Sequence, residues 1–132
     1  MKKDAIKELI AEAYSALKFS YSPYSNYAVA SALLTSDGTI FKGINIENAT
    51  YGATICSERV AVSKAVSEGY KDFVAIAVVT ADKESMPYPC GICRQVLSEF
   101  SPNMLVIVAK NETLYKALKL SDMLPYKFEL KN

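Results

Sequence analysis

The chain has 132 residues, of which 51% are hydrophobic and 22% are charged, and its formal net charge is +1. This length and composition predict one globular domain with a buried core, and they exclude an intrinsically disordered chain. Apart from Lys2 and Lys3 the sequence has no basic cluster, which disfavours a polynucleotide partner because nucleic-acid binding depends on many phosphate contacts. No run of about 18 apolar residues is present, so we expect no membrane span.

The first third of the chain predicts a helix followed by two strands. Asp4 is in position to cap the helix, whose apolar residues recur at three- and four-residue steps. Residues 21–26 break that pattern and predict a loop. Two strand-like runs follow at 27–34 and 39–46, and the Ser-Asp-Gly sequence at 36–38 predicts a hairpin turn between them.

The middle of the chain predicts a helix, a strand and another helix. Cys56 opens the second helix, which ends before Gly69. Residues 73–80 are nearly all apolar and mostly β-branched or alanine, so we expect a central strand covered on both faces. Residues 81–89 contain two prolines and predict a loop, and a third helix spans about 90–100.

The last part of the chain predicts a buried strand at 104–109 and a turn at 111–113. Residues 114–118 fit either a strand or a helix, and Ser121 is in position to cap a short final turn. The order of elements argues for an α/β protein in which helices cover the faces of a sheet. Because no linker, repeat or low-complexity segment interrupts the pattern, we expect residues 1–132 to form a single domain.

The three cysteines of the chain are its strongest chemical signal. Cys56 and Glu58 form a C-x-E motif, and Cys90 and Cys93 form a P-C-x-x-C motif. Three thiolates with a nearby carboxylate suggest a zinc ion with three protein ligands and an open fourth position, as in catalytic sites. Since the chain has no histidine, Glu58 is the leading candidate for proton transfer.

The cysteines also bear on the compartment. Three cysteines cannot all pair within one chain, and a reducing environment favours metal binding over disulfides. The N-terminus begins directly with an amphipathic pattern, whereas a signal peptide would need a continuous apolar segment there. We therefore expect a cytoplasmic protein.

Three other interpretations of the cysteines remain open on this evidence. A carboxylate could complete a closed structural zinc site, the C-x-x-C pair could be a redox pair, or all three thiols could be buried and inert. The redox interpretation leaves Cys56 unexplained. A structural zinc module that binds partners is the corresponding alternative function, and it would hold zinc without converting any substrate.

The predicted helices place charged groups around the cysteines. Cys56 and Cys90 lie at helix starts, where backbone N–H groups and the helix dipole favour thiolates. Arg59, three residues after Cys56, is in position to donate hydrogen bonds to a zinc-bound thiolate and so offset the net charge of −1 that zinc has with three thiolates. Arg94 is a less favoured candidate for that role. Glu58 lies about 200° around a helix from Cys56, so both reach the metal only if Cys56 sits at the helix start.

Six short segments are distinctive in combination: PYSNYAV (23–29), NIENA (45–49), CSER (56–59), SEG (67–69), PCGICRQ (89–95) and LPYKF (124–128). The C-x-E and P-C-x-x-C motifs among them are close to the signature of zinc nucleobase deaminases, with cysteine replacing histidine. Together the six segments resemble the cytidine deaminases of the small, tetrameric, all-cysteine type. The resemblance covers nearly the whole chain. It implies a three-layer α-β-α fold with a central mixed sheet of about five strands.

The resemblance also implies an activity and an assembly. The reaction would be the hydrolytic deamination of free cytidine and deoxycytidine to uridine and deoxyuridine, with release of ammonia, in pyrimidine salvage. One zinc ion would be held per subunit by the three cysteines, and Glu58 would be the proton shuttle. The protein would be a homotetramer whose sites are completed across subunits.

The substrate contacts are implied in the same way. Asn45 and Glu47 would hydrogen-bond the ribose hydroxyl, since an amide and a carboxylate are donor and acceptor types that suit a sugar hydroxyl. Tyr27 falls where the family usually has a phenylalanine that stacks on the pyrimidine. Phe128 would reach the base from a neighbouring subunit.

The sequence departs from the family pattern at several positions. Ser57 replaces the usual alanine between the cysteine and the glutamate, Ala30 replaces a frequent glycine, and residues 51–55 match poorly. These departures concern substrate preference more than the reaction. The nearest alternative is therefore a deaminase of another aminated nucleoside, such as a nucleoside antibiotic, or of a base within RNA or DNA.

Overall fold

The computed structural model describes residues 1–131 and contains one mixed sheet of five strands. The strands are β1 (Val29–Thr35), β2 (Ile40–Ile44), β3 (Phe73–Thr80), β4 (Leu105–Ala109) and β5 (Tyr115–Lys119). Their spatial order is β2-β1-β3-β4-β5. Only β3 and β4 are parallel neighbours, and helix α3 (Gly91–Phe100) connects them, as a parallel pair requires.

Helices cover both faces of the sheet. Helix α1 (Lys3–Ala16) packs on one face, and helix α2 (Ser57–Ser67) packs with α3 and the short α4 (Leu120–Met123) on the other. Two 3-10 turns, Leu17–Phe19 and Tyr51–Ala53, complete the helical elements within residues 1–131. The three layers and the mixed five-stranded sheet confirm the predicted fold class.

The two cores differ because side chains alternate across each strand. Under α1 the sheet presents mostly small residues, such as Ala32 and Ala77, and these let the helix bury Leu9 and Ile10 against the strands. The opposite face carries larger side chains, including Leu33. Burial of each such leucine or isoleucine contributes about 1.5–3 kcal/mol, so the amphipathic pattern of α1 is sufficient reason for its position.

Several predicted boundaries are wrong at their ends. β1 begins at Val29 and not at residue 27, because the N–H and carbonyl groups of Tyr27 bond to side chains. β2 ends at Ile44, and two residues later Ile46 forms isolated bridges to Tyr21 and Ile55. The strand β3 has its predicted bounds, although Val74 is exposed on a strand expected to be covered throughout.

The two predicted side-chain caps are also wrong. Lys2 occupies the cap position of α1 without a side-chain hydrogen bond, and Asp4 lies within the first turn, where its charge favours the helix dipole. Ser121 lies inside α4, which begins at Leu120. Residues 114–118, whose sequence fits either a strand or a helix, fall mostly in the edge strand β5. Gly69 follows α2 with a φ of +95°, as a helix-ending glycine does.

Within residues 1–131, none of the helices combines the length and the apolar character that crossing a membrane requires.

Candidate active site and metal centre

A cleft of about 370 Å³ lies at the end of the sheet where β2 and β3 finish and α2 and α3 begin. Ligands of α/β proteins bind at this kind of edge, where strands end and helix N-termini point inward. Six of the residues predicted or considered for the site line the cleft: Tyr27, Asn45, Glu47, Cys56, Glu58 and Cys90.

The three cysteines form one cluster. Their sulfur atoms lie within 4.8 Å of one another, and the Sγ atoms of Cys56 and Cys90 are 3.9 Å apart. Four ligands arranged tetrahedrally at the usual Zn–S distance of about 2.3 Å place two sulfurs about 3.8 Å apart. The donor set and its spacing therefore fit a zinc ion, and the cluster is positioned to hold one.

Two helix starts produce this cluster. Cys56 and Cys90 are the N-cap residues of α2 and α3, both with extended backbone, and Cys93 follows Cys90 by almost one turn, in the interior of the protein. Because Cys56 precedes the helix, its sulfur and the Glu58 side chain can approach the same point. The structure thus meets the geometrical condition that a shared role for these two residues requires.

Neighbouring groups shift the pKa values of the thiols. The pKa of Cys56 falls to about 5, because the Cys93 thiol and the Arg59 guanidinium donate hydrogen bonds to its sulfur against the cost of burial. The pKa of Cys93 is raised, since its thiol donates to Cys56 and is buried near the Glu58 carboxyl. Three adjacent sulfurs resist becoming anionic together, and a divalent cation is the kind of group that removes this repulsion.

The two candidate arginines occupy different positions. The Arg59 Nη2 atom lies 3.8 Å from the Cys56 Sγ atom and 3.4 Å from the Thr54 carbonyl oxygen. Arg94 instead donates to the carbonyl oxygens of Pro89 and Met123, at 2.8 and 2.9 Å. The suggestion that Arg94 faces the sulfurs is therefore wrong. It holds the segment before Cys90 against α4.

Glu58 is buried, with 4% of its surface exposed, and yet lines the cleft. Burial raises the pKa of its carboxyl, partly opposed by the Ser57 hydroxyl, which donates to Oε1 at 2.7 Å. The pKa of this buried carboxyl beside the thiol cluster therefore lies above the usual value of a glutamate. Proton transfer is the chemistry that such a group supports.

Gly43 determines how closely α2 approaches the sheet. A Cβ atom at this position of β2 would lie 2.2 Å from the Ser57 carbonyl oxygen and 2.6 Å from the Ala61 backbone nitrogen. Only glycine permits this contact. Ser57 directly follows Cys56, so the close approach at Gly43 also helps to set the position of Cys56 in the cysteine cluster.

The Asn45 side chain organises the wall of the cleft. Its Nδ2 donates to the Tyr27 carbonyl oxygen at 2.8 Å, and its Oδ1 accepts from the Val29 N–H at 3.1 Å and from the Ser20 hydroxyl. Both acceptor sites of Oδ1 are therefore occupied, and one Nδ2 hydrogen remains for a ligand. By holding the backbone on both sides of residue 28, Asn45 also fixes Tyr27 at the cleft.

Glu47 is similarly anchored. Its Oε1 accepts from the backbone N–H groups of Tyr24 and Ser25, at 2.9 and 3.0 Å, and its Oε2 accepts from the Ser25 hydroxyl. These donors hold the pKa of the carboxyl below its usual range, the Ser25 hydroxyl most of all. A fixed carboxylate with remaining acceptor capacity at Oε2 is suited to bind a hydroxyl group.

Comparison with known proteins identifies the family. The family profile described as "cytidine and deoxycytidylate deaminase zinc-binding region" matches residues 3–109. The chain belongs to this family. The cytidine deaminase of Halalkalibacterium halodurans is 46% identical over 121 residues, covering 91% of each chain, and that of Sporosarcina psychrophila is 48% identical over 106 residues, covering 80% of this chain and 77% of the relative.

A solved structure agrees with the deaminase fold as well. The crystal structure of cytidine deaminase from Burkholderia pseudomallei superimposes with a TM-score of 0.86 and is 40% identical, covering 97% of this chain and 100% of that one. The resemblance inferred from six short segments is thereby confirmed. So is the expectation of a zinc-binding deaminase domain.

One predicted residue of the deaminase site stands apart from the cleft. Phe128 is 70% exposed, and its carbonyl oxygen accepts from the Gln95 side chain at 3.0 Å. The side chain does not line the cleft of its own protomer. Phe128 therefore does not anchor the C-terminal segment in the core, and its ring is accessible for contact with another molecule.

Sequence reasoning missed one wall of the deaminase cleft and one buried contact. Met86, Pro87 and Tyr88 line the cleft, although their segment was predicted only as a loop before the C-x-x-C motif. Ser57 was noticed as a departure from the family, but its bond to the neighbouring Glu58 carboxylate was not expected. Two prolines close to Cys90 were the sequence signal for this wall of the cleft, because prolines stiffen the chain beside a predicted metal ligand.

Proposed function

We propose that this protein catalyses the hydrolytic deamination of free cytidine and deoxycytidine to uridine and deoxyuridine with release of ammonia. The observation that carries the proposal is the buried Glu58 carboxyl, which lines a cleft of about 370 Å³ beside three clustered thiols. Membership of the deaminase family and the relatives named cytidine deaminase support the same reaction. The proposed zinc ligands are Cys56, Cys90 and Cys93.

Cys56, Cys90 and Cys93 would hold the zinc ion, which would supply a Lewis acid that makes water more acidic. Glu58 accepts the proton that this water loses and passes it to ring nitrogen N3 of the cytosine. The oxygen of the water bonds to C4 in this first step. Glu58 then takes the second proton of that water from the new C4 hydroxyl and delivers it to the amine, so that the C4–N bond breaks, ammonia leaves and a C4 carbonyl forms while N3 keeps its hydrogen. A carboxyl whose pKa is raised by burial is suited both to accept and to release a proton, and such general acid–base catalysis contributes about 10²–10⁴-fold.

The other residues of the cleft bind and orient the nucleoside. Tyr27 stacks on the pyrimidine, which keeps the aromatic contact of the family and adds a hydroxyl group. The remaining Nδ2 hydrogen of Asn45 donates to the sugar, and Glu47 Oε2 accepts from a ribose hydroxyl. Arg59 donates to the Cys56 sulfur and offsets the surplus negative charge of three thiolates.

An assay of ammonia release from cytidine tests the reaction directly. We expect the wild-type zinc enzyme to convert cytidine and Glu58→Gln to retain zinc while losing nearly all turnover. Glu68→Gln is the matched control, because Glu68 is exposed at the other end of the same helix. Retained turnover in Glu58→Gln would remove this carboxyl from the mechanism.

Alternative substrates are separated with the same assay. A panel containing cytidine, deoxycytidine, an aminated nucleoside antibiotic and a cytosine-containing oligonucleotide identifies the preferred amine. We expect the free nucleosides to react fastest, since Asn45 and Glu47 address a free sugar and the net charge of +1 gives no attraction for a polyanion. Bound zinc without turnover of any of the four would indicate a structural zinc module.

We infer that the active assembly is a homotetramer in which Phe128 of one subunit completes the site of another. The exposure of Phe128 and the accessible position of Cys90 on the isolated protomer support this arrangement. Light scattering tests the assembly. Mixing Phe128→Ala with Glu58→Gln subunits tests the shared site, because only hybrid sites contain both side chains and we expect activity to exceed the sum of the parents. Without such complementation Phe128 has no role across subunits.

We also propose that residues 1–132 act as one domain, and that the protein works in the cytoplasm in pyrimidine salvage. Three closely spaced free thiols require a reducing compartment to remain available for a metal. Coincident unfolding transitions by two optical probes would support the single domain, and cell fractionation would test the compartment.

A further inference from the structure

Two serine hydroxyls and the Glu58 carboxylate form an uninterrupted buried chain of hydrogen bonds. Ser31 Oγ lies 2.5 Å from Ser57 Oγ, and Ser57 Oγ donates to Glu58 Oε1 at 2.7 Å. The three residues are 0%, 1% and 4% exposed. We propose that Ser31 and Ser57 are positioning residues that hold the Glu58 carboxylate in the orientation from which it transfers protons. This inference rests on the proposed role of Glu58.

The number of hydroxyl hydrogens determines which residue donates in each of these hydrogen bonds. Each serine hydroxyl has one hydrogen to donate, and Ser57 donates its hydrogen to the carboxylate. Ser31 must therefore donate to Ser57, which orders the bonds from Ser31 to Ser57 to Glu58. Oε1 is therefore the carboxylate oxygen that these hydrogen bonds hold in place.

The fold brings the two hydroxyls together through Gly43. Ser31 lies in the centre of β1 and is paired with Gly43 on one side and with Val78 on the other. Gly43 is also the point where α2 approaches the sheet most closely, against the backbone of Ser57. The hydroxyl of Ser31 can therefore bridge from the sheet to the first residue of the helix. A bulkier residue at position 43 would increase the distance between the Ser31 and Ser57 hydroxyl oxygens.

An anchor matters because the terminal torsion of a glutamate side chain has broad energy minima. Burial alone does not select one orientation of the carboxylate plane, whereas a bond to Oε1 does. Catalytic groups must lie within about 0.5 Å of the productive geometry, and misplacement by about 1 Å costs about 100-fold. The Ser57 hydroxyl therefore adjusts the orientation of the carboxylate and leaves its chemistry unchanged.

Three variants test the chain: Ser57→Ala, Ser31→Ala, and both substitutions together. We expect Ser57→Ala to lower kcat for cytidine about tenfold with KM within about twofold, because substrate contacts stay intact. Ser31→Ala retains the donor to Glu58 and should lower kcat only about threefold. Ser67→Ala is the control, since this exposed serine lies at the far end of α2 with its hydroxyl on the Lys64 carbonyl.

Stability separates positioning from packing. Ser57→Ala leaves the Ser31 hydroxyl buried without its partner, so this variant should unfold at a lower temperature than the wild type. The double variant removes both hydroxyls and should recover most of that loss. If the chain positions Glu58, kcat stays low in the double variant although its stability returns. Recovery of kcat together with stability would overturn the proposal.

Two readouts do not depend on turnover. A nucleoside with a hydrated ring and a tetrahedral C4 carrying a hydroxyl mimics the reacting state, and Ser57→Ala should weaken its binding about tenfold in calorimetry while uridine binding is unchanged. In crystals of the zinc-loaded variant, the Glu58 carboxylate should be displaced by more than about 0.5 Å, with zinc content equal to wild type.

The outcomes are distinguishable. An undisplaced carboxylate, unchanged binding of the tetrahedral ligand, or loss of zinc from Ser57→Ala would each overturn the positioning role. Absence of ammonia release by the wild-type enzyme would instead refute the proposed function. The crystallographic comparison would then still decide whether the serines orient Glu58.

Discussion

Substitution of Gly43 by alanine should damage both the fold and the metal site, because one added carbon atom would collide with the backbone of α2. The new Cβ would lie 2.2 Å from the Ser57 carbonyl oxygen and 2.6 Å from the Ala61 nitrogen, whereas ordinary contact begins near 3.4 Å. Neither obstacle is a flexible side chain. The helix must therefore withdraw by roughly 1 Å, or β2 must leave its place beside β1.

The size of the effect follows from this displacement. Overpacking in a core costs about 1–3 kcal/mol, and more when backbone has to move, so we expect the free energy of unfolding to fall by about 3 kcal/mol. Cys56 directly precedes Ser57 and moves with α2, while Cys90 and Cys93 stay with α3. Zinc–ligand distances tolerate only about 0.2 Å, so we expect zinc affinity to fall by about 100-fold.

Gly52→Ala is the matched control for this prediction. Gly52 lies in the 3-10 turn Tyr51–Ala53, and a Cβ there would meet nothing within 4 Å. A glycine-to-alanine change lowers the entropy of the unfolded chain and so stabilises the fold by about 0.4–1 kcal/mol. Because both substitutions have this effect, the difference between them reports the contact at Gly43. Urea-induced unfolding and competition with a chromophoric zinc chelator measure the two effects. If Gly43→Ala matches the control in both, the contact between β2 and α2 does not position Cys56.

Three further predictions concern single side chains. Arg59→Ala should lower zinc affinity about 10–100-fold in chelator competition, and unchanged zinc content and turnover would exclude its charge-balancing role. Glu47→Gln should lower the urea midpoint more at about pH 6 than at about pH 3, since a carboxylate with a lowered pKa stabilises the fold fully above its ordinary pKa and loses that effect as pH falls through the folded value; an equal change at both pH values would contradict this. Ser101→Ala should cost about 1–3 kcal/mol in urea unfolding, because the buried Phe73 N–H donates to Ser101 Oγ at 2.9 Å; equal midpoints would refute this.

The elements that sequence patterns predicted best are those whose own residues determine them. The apolar, β-branched run from Phe73 to Thr80 forms β3 with the expected bounds, and α2 and α3 begin directly after Cys56 and Cys90. The ends of β1 and β2 were predicted poorly for the opposite reason. There the Asn45 side chain and the backbone of Tyr21 replace the ladder partners, and both contacts join segments far apart in the chain.

The same distinction applies to the site. A chain with three cysteines and no histidine offers few sets of zinc ligands, so residue types and spacing were sufficient to predict the cluster that the structure contains. The approach of α2 at Gly43 and the bond between Ser31 and Ser57 depend on tertiary positions that no local pattern encodes. Ser57 is visible in the sequence only as a departure from a family, and its partner has no signal at all.

The charges around the cluster explain how an all-cysteine site can work without histidine. Zinc with three thiolates has a net charge of −1, and the ends of α2 and α3 that carry Cys56 and Cys90 each contribute roughly +0.5. These two terms cancel, which leaves Arg59 as a charge of +1 against the carboxylate of Glu58 when it is ionised. The site is then neutral overall, with Glu58 and Cys93 buried and Cys90 exposed. Because the helix ends cannot be mutated away, Arg59, whose Nη2 atom lies 3.8 Å from the Cys56 sulfur, is the side chain whose substitution tests this charge balance.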